Sequence, residues 1–134
     1  DLHRVITVAS LIEKEAAAES ERATVASVIY NRLCSNDYPY LQIDATIQYI
    51  LEERKENLTL EDQQIDNPYN TYRYEGLPPG PIANPGLASI KAALSPENTN
   101  YYFYALESDG THHHFSETYS EHQQFLESQK DGQA

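Results

Sequence analysis

The stretch VASLIEKEAA, Val8–Ala17, decides the fold of the first part of the chain. Its apolar residues, preceded by Val5, recur at steps of three and four positions, which is the spacing of one buried face on a helix. We expect this helix to begin near Leu2, with Asp1 as its cap. The polar segment AESER follows, and then a second helical stripe begins. The sequence therefore predicts two helices joined near Ser20.

Glu13 lies beside the buried stripe of the first helix, not on the opposite, wet face. Its neighbours three and four positions away are all small, namely Ala9, Ser10, Ala16 and Ala17. A carboxyl in such a place can be partly desolvated, which raises its pKa and leaves room for a ligand atom. From the residues alone two interpretations stay open, a general acid or, more commonly, a partner in an ion pair with Arg22 or Arg32. Glu15 points away from Glu13 and is not expected to form a close pair with it.

Composition limits the class of protein. The 134 residues suit one domain, and 21 acidic against 9 basic residues give a formal charge of −12, which disfavours binding to nucleic acid or anionic lipid. A single cysteine, Cys34, excludes an intrachain disulfide. The chain begins at Asp1 and holds no long apolar run, so we expect a domain excised from a longer protein.

The rest of the chain predicts shorter elements and an α+β class, with helices first and a small antiparallel sheet late. Asp44 is expected to cap a helix, Thr59 to begin a short helical turn, and NTYRY to form a strand. The predicted later elements are a helix over residues 87–94 with Asn84 and Pro85 at its start, two strands around the turn Ser108–Gly110, and a last helix from Thr118 to about Ser128. We expect one domain over residues 1–127 and a frayed tail over residues 128–134.

Three further features invite a binding interpretation, each with a structural alternative. The tyrosines of NPYNTY can lie against sugar faces or pack in a sheet. The loop GLPPGPIANPG, residues 76–86, can recognise a ligand with its fixed backbone or clamp sheet to helix. In the run of three histidines, His114 is the one we expect to face a site, since two imidazoles on one strand face make a weak metal site. No metal and no cofactor is predicted.

These motifs, TVASLIEKEA, ESERATVASVIYNRL, LQIDATIQY, NPYNTY, GLPPGPIANPG and YYFYALESDGTHHHF, occur in one order from Val5 to about Phe125. In that order they resemble the YceG-like endolytic murein transglycosylases. The resemblance implies an enzyme at the extracytoplasmic face of the bacterial membrane that cuts peptidoglycan strands internally. It also implies that a membrane-spanning helix and a small LysM-like part precede this domain in the parent protein, and that cell-wall synthases are partners.

By this resemblance the essential acid is the first Glu of the IEKE motif, which is Glu13. It would protonate the oxygen between N-acetylmuramic acid and N-acetylglucosamine, and the muramic acid's C6 hydroxyl would close on C1 to give a 1,6-anhydro end. Two rivals remain, a lysozyme-type hydrolase that uses Glu13 with Asp44, and a glycan-binding module without catalysis. The residues predicted to hold the glycan are Gln42, Asp44, Thr46, Tyr69, Asn70, Tyr72, Gly76, Leu77, Pro78, Pro79, Gly80, Pro81, Asn84 and His114.

Overall fold

Helix α1 (Leu2–Glu15) is the element against which three of the later helices pack. In this computed structural model, which describes residues 1–131, the side chains of Val8, Leu11 and Ile12 are completely buried. The predicted cap is confirmed, because the Asp1 carboxylate accepts a hydrogen bond from the His3 backbone N–H. The buried stripe of α1 therefore forms the centre of the core, as its spacing predicts.

Helix α2 (Arg22–Leu33) follows α1 through a short 3₁₀ turn (Glu19–Glu21), which confirms the predicted pair of helices. Helix α3 (Asp44–Ile50) comes next, then a second 3₁₀ turn (Asp62–Gln64) and α4 (Leu87–Leu94). Helices α2, α3 and α4 all contact α1. None of the described helices has both the length and the apolar character needed to cross a bilayer.

Strands β1 (Phe103–Leu106) and β2 (His113–Ser116) form an antiparallel hairpin, in which Tyr104 pairs with Phe115. Helix α5 (Tyr119–Asp131) packs on this hairpin, and its first turn is capped by the Thr118 hydroxyl, which accepts the Glu121 backbone N–H. The predicted α+β class, the hairpin and the Thr118 cap are thus confirmed.

Four local predictions need correction. The cap residue of α3 is Ile43, and the Asp44 side chain does not cap this helix. The cap residue of α4 is Gly86, so Asn84 and Pro85 lie outside that helix. The NTYRY segment is a turn rather than a strand, because the buried Asn70 side chain bonds to neighbouring backbone groups. Helix α5 continues three residues beyond Ser128, and residues 132–134 of the predicted tail lie outside the described part of the chain.

Two polar contacts hold the proline-rich loop along α1. The His3 ring nitrogen Nε2 is 2.8 Å from the carbonyl oxygen of Pro79, and the Ile82 backbone N–H donates to the Ser10 hydroxyl over 3.0 Å. Ser10 is completely buried and Ile82 nearly so. These contacts hold the loop against α1.

Candidate active site

Two neighbouring cavities share one wall, and Glu15 at the end of α1 is part of that wall. The first cavity has a volume of about 630 Å³ and is bounded by α1, α2, the start of α3, the hairpin and α5. The second has a volume of about 600 Å³ and lies toward residues 48–63. Lys14, Glu15, Asp44 and Arg54 line both cavities. A long ligand can therefore extend to either side of these four side chains.

Glu15 is held in place by a tyrosine from the hairpin. The Tyr104 hydroxyl donates a hydrogen bond of 2.8 Å to Glu15 Oε1. Burial raises the pKa of the Glu15 carboxyl, and the negative charge of Asp44 raises it further, whereas the Tyr104 hydrogen bond and the charge of His113 act in the opposite direction. A carboxyl with a raised pKa beside a cavity has the property that a general acid needs.

Asp44 faces the same space from the first turn of α3. The Tyr72 hydroxyl donates a hydrogen bond to its carboxylate. Burial and this contact with Asp44 raise the pKa of Tyr72, so Tyr72 remains a neutral donor at neutral pH. Asp44 is exposed and therefore stays available to a ligand in either cavity.

Arg32 supplies a positive charge to the wall of the first cavity. Its guanidinium donates to the carbonyl oxygens of Tyr102 and Tyr40, each over 2.6 Å, and lies 4.9 Å from the centre of the Phe103 ring. Burial lowers its pKa, yet an arginine remains protonated at neutral pH. Arg32 thus joins α2 to the start of the hairpin that carries Tyr104.

Glu13 occupies a different environment from the one predicted. Its Oε1 accepts the Gly86 backbone N–H over 2.8 Å and the Ser89 hydroxyl over 3.0 Å, at the N-terminus of α4. These two hydrogen bonds lower the pKa of Glu13, so the predicted upward shift is wrong. Glu13 lines neither cavity and forms no salt bridge within residues 1–131, although the charge of Arg22 also lowers its pKa.

The histidine that faces the first cavity is His113, not His114. His114 stacks on Phe125 of α5, with ring centres 4.2 Å apart and planes only 4° from parallel. His113 lies on the other face of β2, where its Nδ1 is 3.1 Å from Glu21 Oε1. Among the side chains of residues 1–130, no three His, Cys, Asp or Glu come together as metal ligands.

Of the residues predicted to hold the glycan, Gln42, Asp44 and Tyr72 line the first cavity. The Thr46 hydroxyl is instead bonded to Ile43 and Thr71 in the core. The other candidates line neither cavity, and they are Tyr69, Asn70, Gly76, Leu77, Pro78, Pro79, Gly80, Pro81, Asn84 and His114.

Sequence reasoning missed Glu15, Tyr104, His113 and Arg32 as lining residues. Glu15 belongs to the IEKE motif, but the periodicity of one helix does not indicate which of its two acidic residues lines a cavity. The other walls of that cavity come from elements later in the chain. Tyr104 and His113 do show a signal, because both belong to the alternating aromatic segments that form the hairpin.

Comparison with known proteins gives one consistent answer. A model of the YceG-like family matches residues 1–128. The endolytic murein transglycosylase of Bacillus subtilis (strain 168) is 46% identical over 109 residues, which are 81% of this chain and 30% of that protein. The endolytic murein transglycosylase of Streptococcus pneumoniae serotype 2 is 37% identical over 115 residues, covering 81% of this chain and 20% of that protein.

A solved structure agrees with the sequence comparisons. The crystal structure of a yceG-like protein from Listeria monocytogenes matches with a TM-score of 0.86 and 44% identity, over 92% of this chain and 40% of that one. The chain thus spans less than half the length of each of these relatives.

Proposed function

The chain belongs to the YceG-like family, and we propose that it is a lytic transglycosylase of peptidoglycan strands in which Glu15, rather than Glu13, is the general acid and base. The observation that carries this proposal is the place of Glu15, in the wall shared by two cavities and with a raised pKa. The names of the relatives, endolytic murein transglycosylases, support the reaction class.

The reaction needs one carboxyl group that first gives and then takes a proton. Protonated Glu15 donates its proton to the oxygen between N-acetylmuramic acid and N-acetylglucosamine, and the bond from C1 to that oxygen breaks. The C6 hydroxyl of the muramic acid then attacks C1 and returns its proton to Glu15, which leaves a 1,6-anhydro end. No water is consumed, so no second carboxylate is required, in contrast to ordinary glycoside hydrolysis.

The paired cavities support cleavage within a strand rather than at its end. A glycan that crosses the shared wall would place sugars in both cavities, with the bond to be cut beside Glu15. Tyrosine rings are available on each side, Tyr102 in the first cavity and Tyr49 in the second, and such rings lie well against sugar faces. Anchoring of a longer protein to the membrane and binding to cell-wall synthases stay predictions from the resemblance.

A matched pair of variants tests the assignment. Glu15→Gln and Glu13→Gln make the same chemical change on the same helix, two residues apart. Incubated with purified peptidoglycan, Glu15→Gln should release no muropeptides with anhydro ends by mass spectrometry, because an amide is not acidic enough to protonate the glycosidic oxygen. Glu13→Gln should keep cleaving. Cleavage at the wild-type rate by folded Glu15→Gln would overturn the proposal.

A second candidate is a hydrolase in which Asp44 activates a water opposite Glu15. It is favoured by one observation, namely that Asp44 lines both cavities together with Glu15 and raises the pKa of that carboxyl by its charge. The same mass spectra decide between the two, since a hydrolase leaves reducing ends that are one water heavier than anhydro ends. If the protein is a hydrolase, Asp44→Asn should abolish its cleavage of the glycan. If it is a transglycosylase, the same variant should retain part of its activity.

A further inference from the structure

We propose that Tyr104 is a positioning residue, which holds the Glu15 carboxyl by one oxygen so that the other oxygen makes the proton transfer. The inference rests on the proposed function for its catalytic meaning, but the contact it concerns is a property of the folded chain. Tyr104 does not need to touch the glycan in order to act in this way.

The geometry starts with a direct contact between two elements that are far apart in sequence. The Tyr104 hydroxyl of β1 lies 2.8 Å from Glu15 Oε1 of α1. Glu15 lies at the last position of its helix, where the following residue Ala16 is extended. Glu15 is thus the last residue of α1. The hydrogen bond from the Tyr104 hydroxyl is what keeps its side chain in one orientation.

The ring of Tyr104 is itself held by its neighbours on the hairpin. The His113 ring meets it edge-on, with centres 5.2 Å apart and planes at 82°, and Phe115 packs at 6.0 Å. His113 in turn is held by Glu21. The Glu21 carboxylate accepts a hydrogen bond from the His113 backbone N–H, and Glu21 Oε1 lies 3.1 Å from His113 Nδ1. The Glu21 carboxylate, His113, Tyr104 and Glu15 therefore form a connected series of contacts, of which the last three residues line the cavity.

The chemistry of a phenol suits this task. Burial raises the pKa of Tyr104 well above its ordinary value, and the charge of Glu15 adds to the effect, so the hydroxyl stays protonated and donates at all working pH values. A donor on Oε1 stabilises the ionised carboxylate and opposes the upward pKa shift from burial. Glu15 can then alternate between proton donor and acceptor, which the proposed reaction requires.

Several other charged or titratable groups face Glu15 across the first cavity, and any test must separate Tyr104 from them. They are Lys14 of α1, Arg32 of α2, Asp44 of α3, Arg54, Tyr72 and Tyr102 of the connecting segments, His113 of β2, and Tyr119 and His122 of α5. Tyr104→Phe leaves all of these in place, because it removes one hydroxyl and keeps the ring that packs against His113 and Phe115.

The test is a ¹³C NMR titration of the Glu15 carboxyl in the 134-residue chain, with the resonance assigned by its loss in Glu15→Gln. In Tyr104→Phe the pKa of Glu15 should rise by about one unit, a tenfold tighter binding of the proton, which is typical for loss of one hydrogen bond to a carboxylate. The alkaline limb of the pH–rate profile for glycan cleavage should move upward by the same amount.

Tyr101→Phe is the matched control. Tyr101 also packs against Phe115, at 5.5 Å, and its hydroxyl makes no hydrogen bond to any residue among 1–130. Its removal should leave the titration of Glu15 unchanged. An equal Glu15 pKa in Tyr104→Phe and Tyr101→Phe would overturn the inference, because a residue that only packs would give that result.

A second measurement needs no folded Tyr104 variant. In the wild-type chain labelled at tyrosine ¹³Cζ, the Tyr104 resonance should shift with an inflection at the pKa of Glu15, and this inflection should vanish in Glu15→Gln. Its absence from the wild-type protein would also refute the contact. Cleavage that persists in Glu15→Gln would refute the proposed function alone, since the titrations report the contact independently of activity.

Discussion

Glu13 should contribute to stability and not to chemistry, and its replacement is the sharpest test of how the two acidic residues of IEKE divide their roles. The Glu13 carboxylate accepts two hydrogen bonds at the N-terminus of α4, from Gly86 and Ser89. A negative charge there also interacts favourably with the helix dipole. Glu13 therefore acts as a cap that α1 provides to a helix more than 70 residues later in the chain.

The size of the effect follows from these contacts. Removing a capping acceptor costs about 1–2 kcal/mol, and removing only the charge near a helix N-terminus costs about 0.5–1 kcal/mol. We therefore expect Glu13→Ala to lose about 2 kcal/mol and Glu13→Gln less than half of that. The unfolding entropy of roughly 2.1 cal/mol/K per residue over 134 residues converts 2 kcal/mol into a fall in melting temperature of about 7 °C.

The pH dependence has a defined sign. Because the folded pKa of Glu13 lies below its ordinary value of 4.5, the folded protein binds this proton less tightly than the unfolded chain. The stabilisation is complete above pH 4.5 and is lost as the pH falls through the lower folded pKa. The difference in stability between wild type and Glu13→Gln should thus be largest at neutral pH and shrink in acid.

Thermal unfolding followed by circular dichroism measures these differences, and Ser89→Ala completes a double-mutant cycle. The cycle of Glu13→Ala with Ser89→Ala should give a coupling of about 0.5–1.5 kcal/mol, because each of these two changes alone removes the same hydrogen bond. An unchanged melting temperature in Glu13→Gln together with lost cleavage would refute the reasoning, since Glu13 would then be the acid.

Three further changes test other parts of the structure. Glu15→Gln should be more stable than wild type at pH 7 but not at pH 4. The pKa of Glu15 in the folded chain is raised above 4.5, so the wild-type chain loses stability as the pH rises from 4.5 through that pKa. Chemical denaturation at the two pH values measures the difference. Arg32→Lys should lose about 3 kcal/mol in denaturant unfolding, because a lysine cannot serve both the Tyr40 and Tyr102 carbonyls that the planar guanidinium joins. Asp62→Asn should melt at a lower temperature than wild type at pH 7, because Asp62 binds Lys55 and the Thr59 backbone, and the difference should disappear as the pH falls below 3.8.

Local patterns predicted the elements of this fold where the physics is local. The stripe of Val8, Leu11 and Ile12, the Asp1 cap and the Thr118 cap depend on residues within four positions of one another, and all three are confirmed. The reciprocal bonds between Thr59 and Asp62 belong to the same class.

The failures have a common cause, which is competition from partners distant in sequence. Asp44 was predicted to cap its own helix, but the Tyr72 hydroxyl, 28 residues later, takes its carboxylate. NTYRY alternates like a strand, yet the Asn70 side chain bonds to backbone groups of residues 63, 65 and 72 and folds the segment into a turn. The hydrogen-bond partner of such a side chain is determined only in the folded chain, because a single sequence does not show which distant group will lie next to it.

Partners distant in sequence also give Glu13 and Glu15 different surroundings. On a helix, two residues two positions apart point about 200° apart, so the two carboxyls must meet different surroundings. Periodicity places Glu13 at the edge of the buried face, but it does not say whether that edge opens on a cavity or on another helix. Here α4 brings backbone and hydroxyl donors to that edge, and donors lower a carboxyl's pKa. The hairpin instead gives Glu15 one hydrogen bond, from the Tyr104 hydroxyl, so that burial outweighs hydrogen bonding and the pKa rises. The direction in which each carboxyl's pKa shifts is therefore set by the elements that pack against α1, and not by α1 itself.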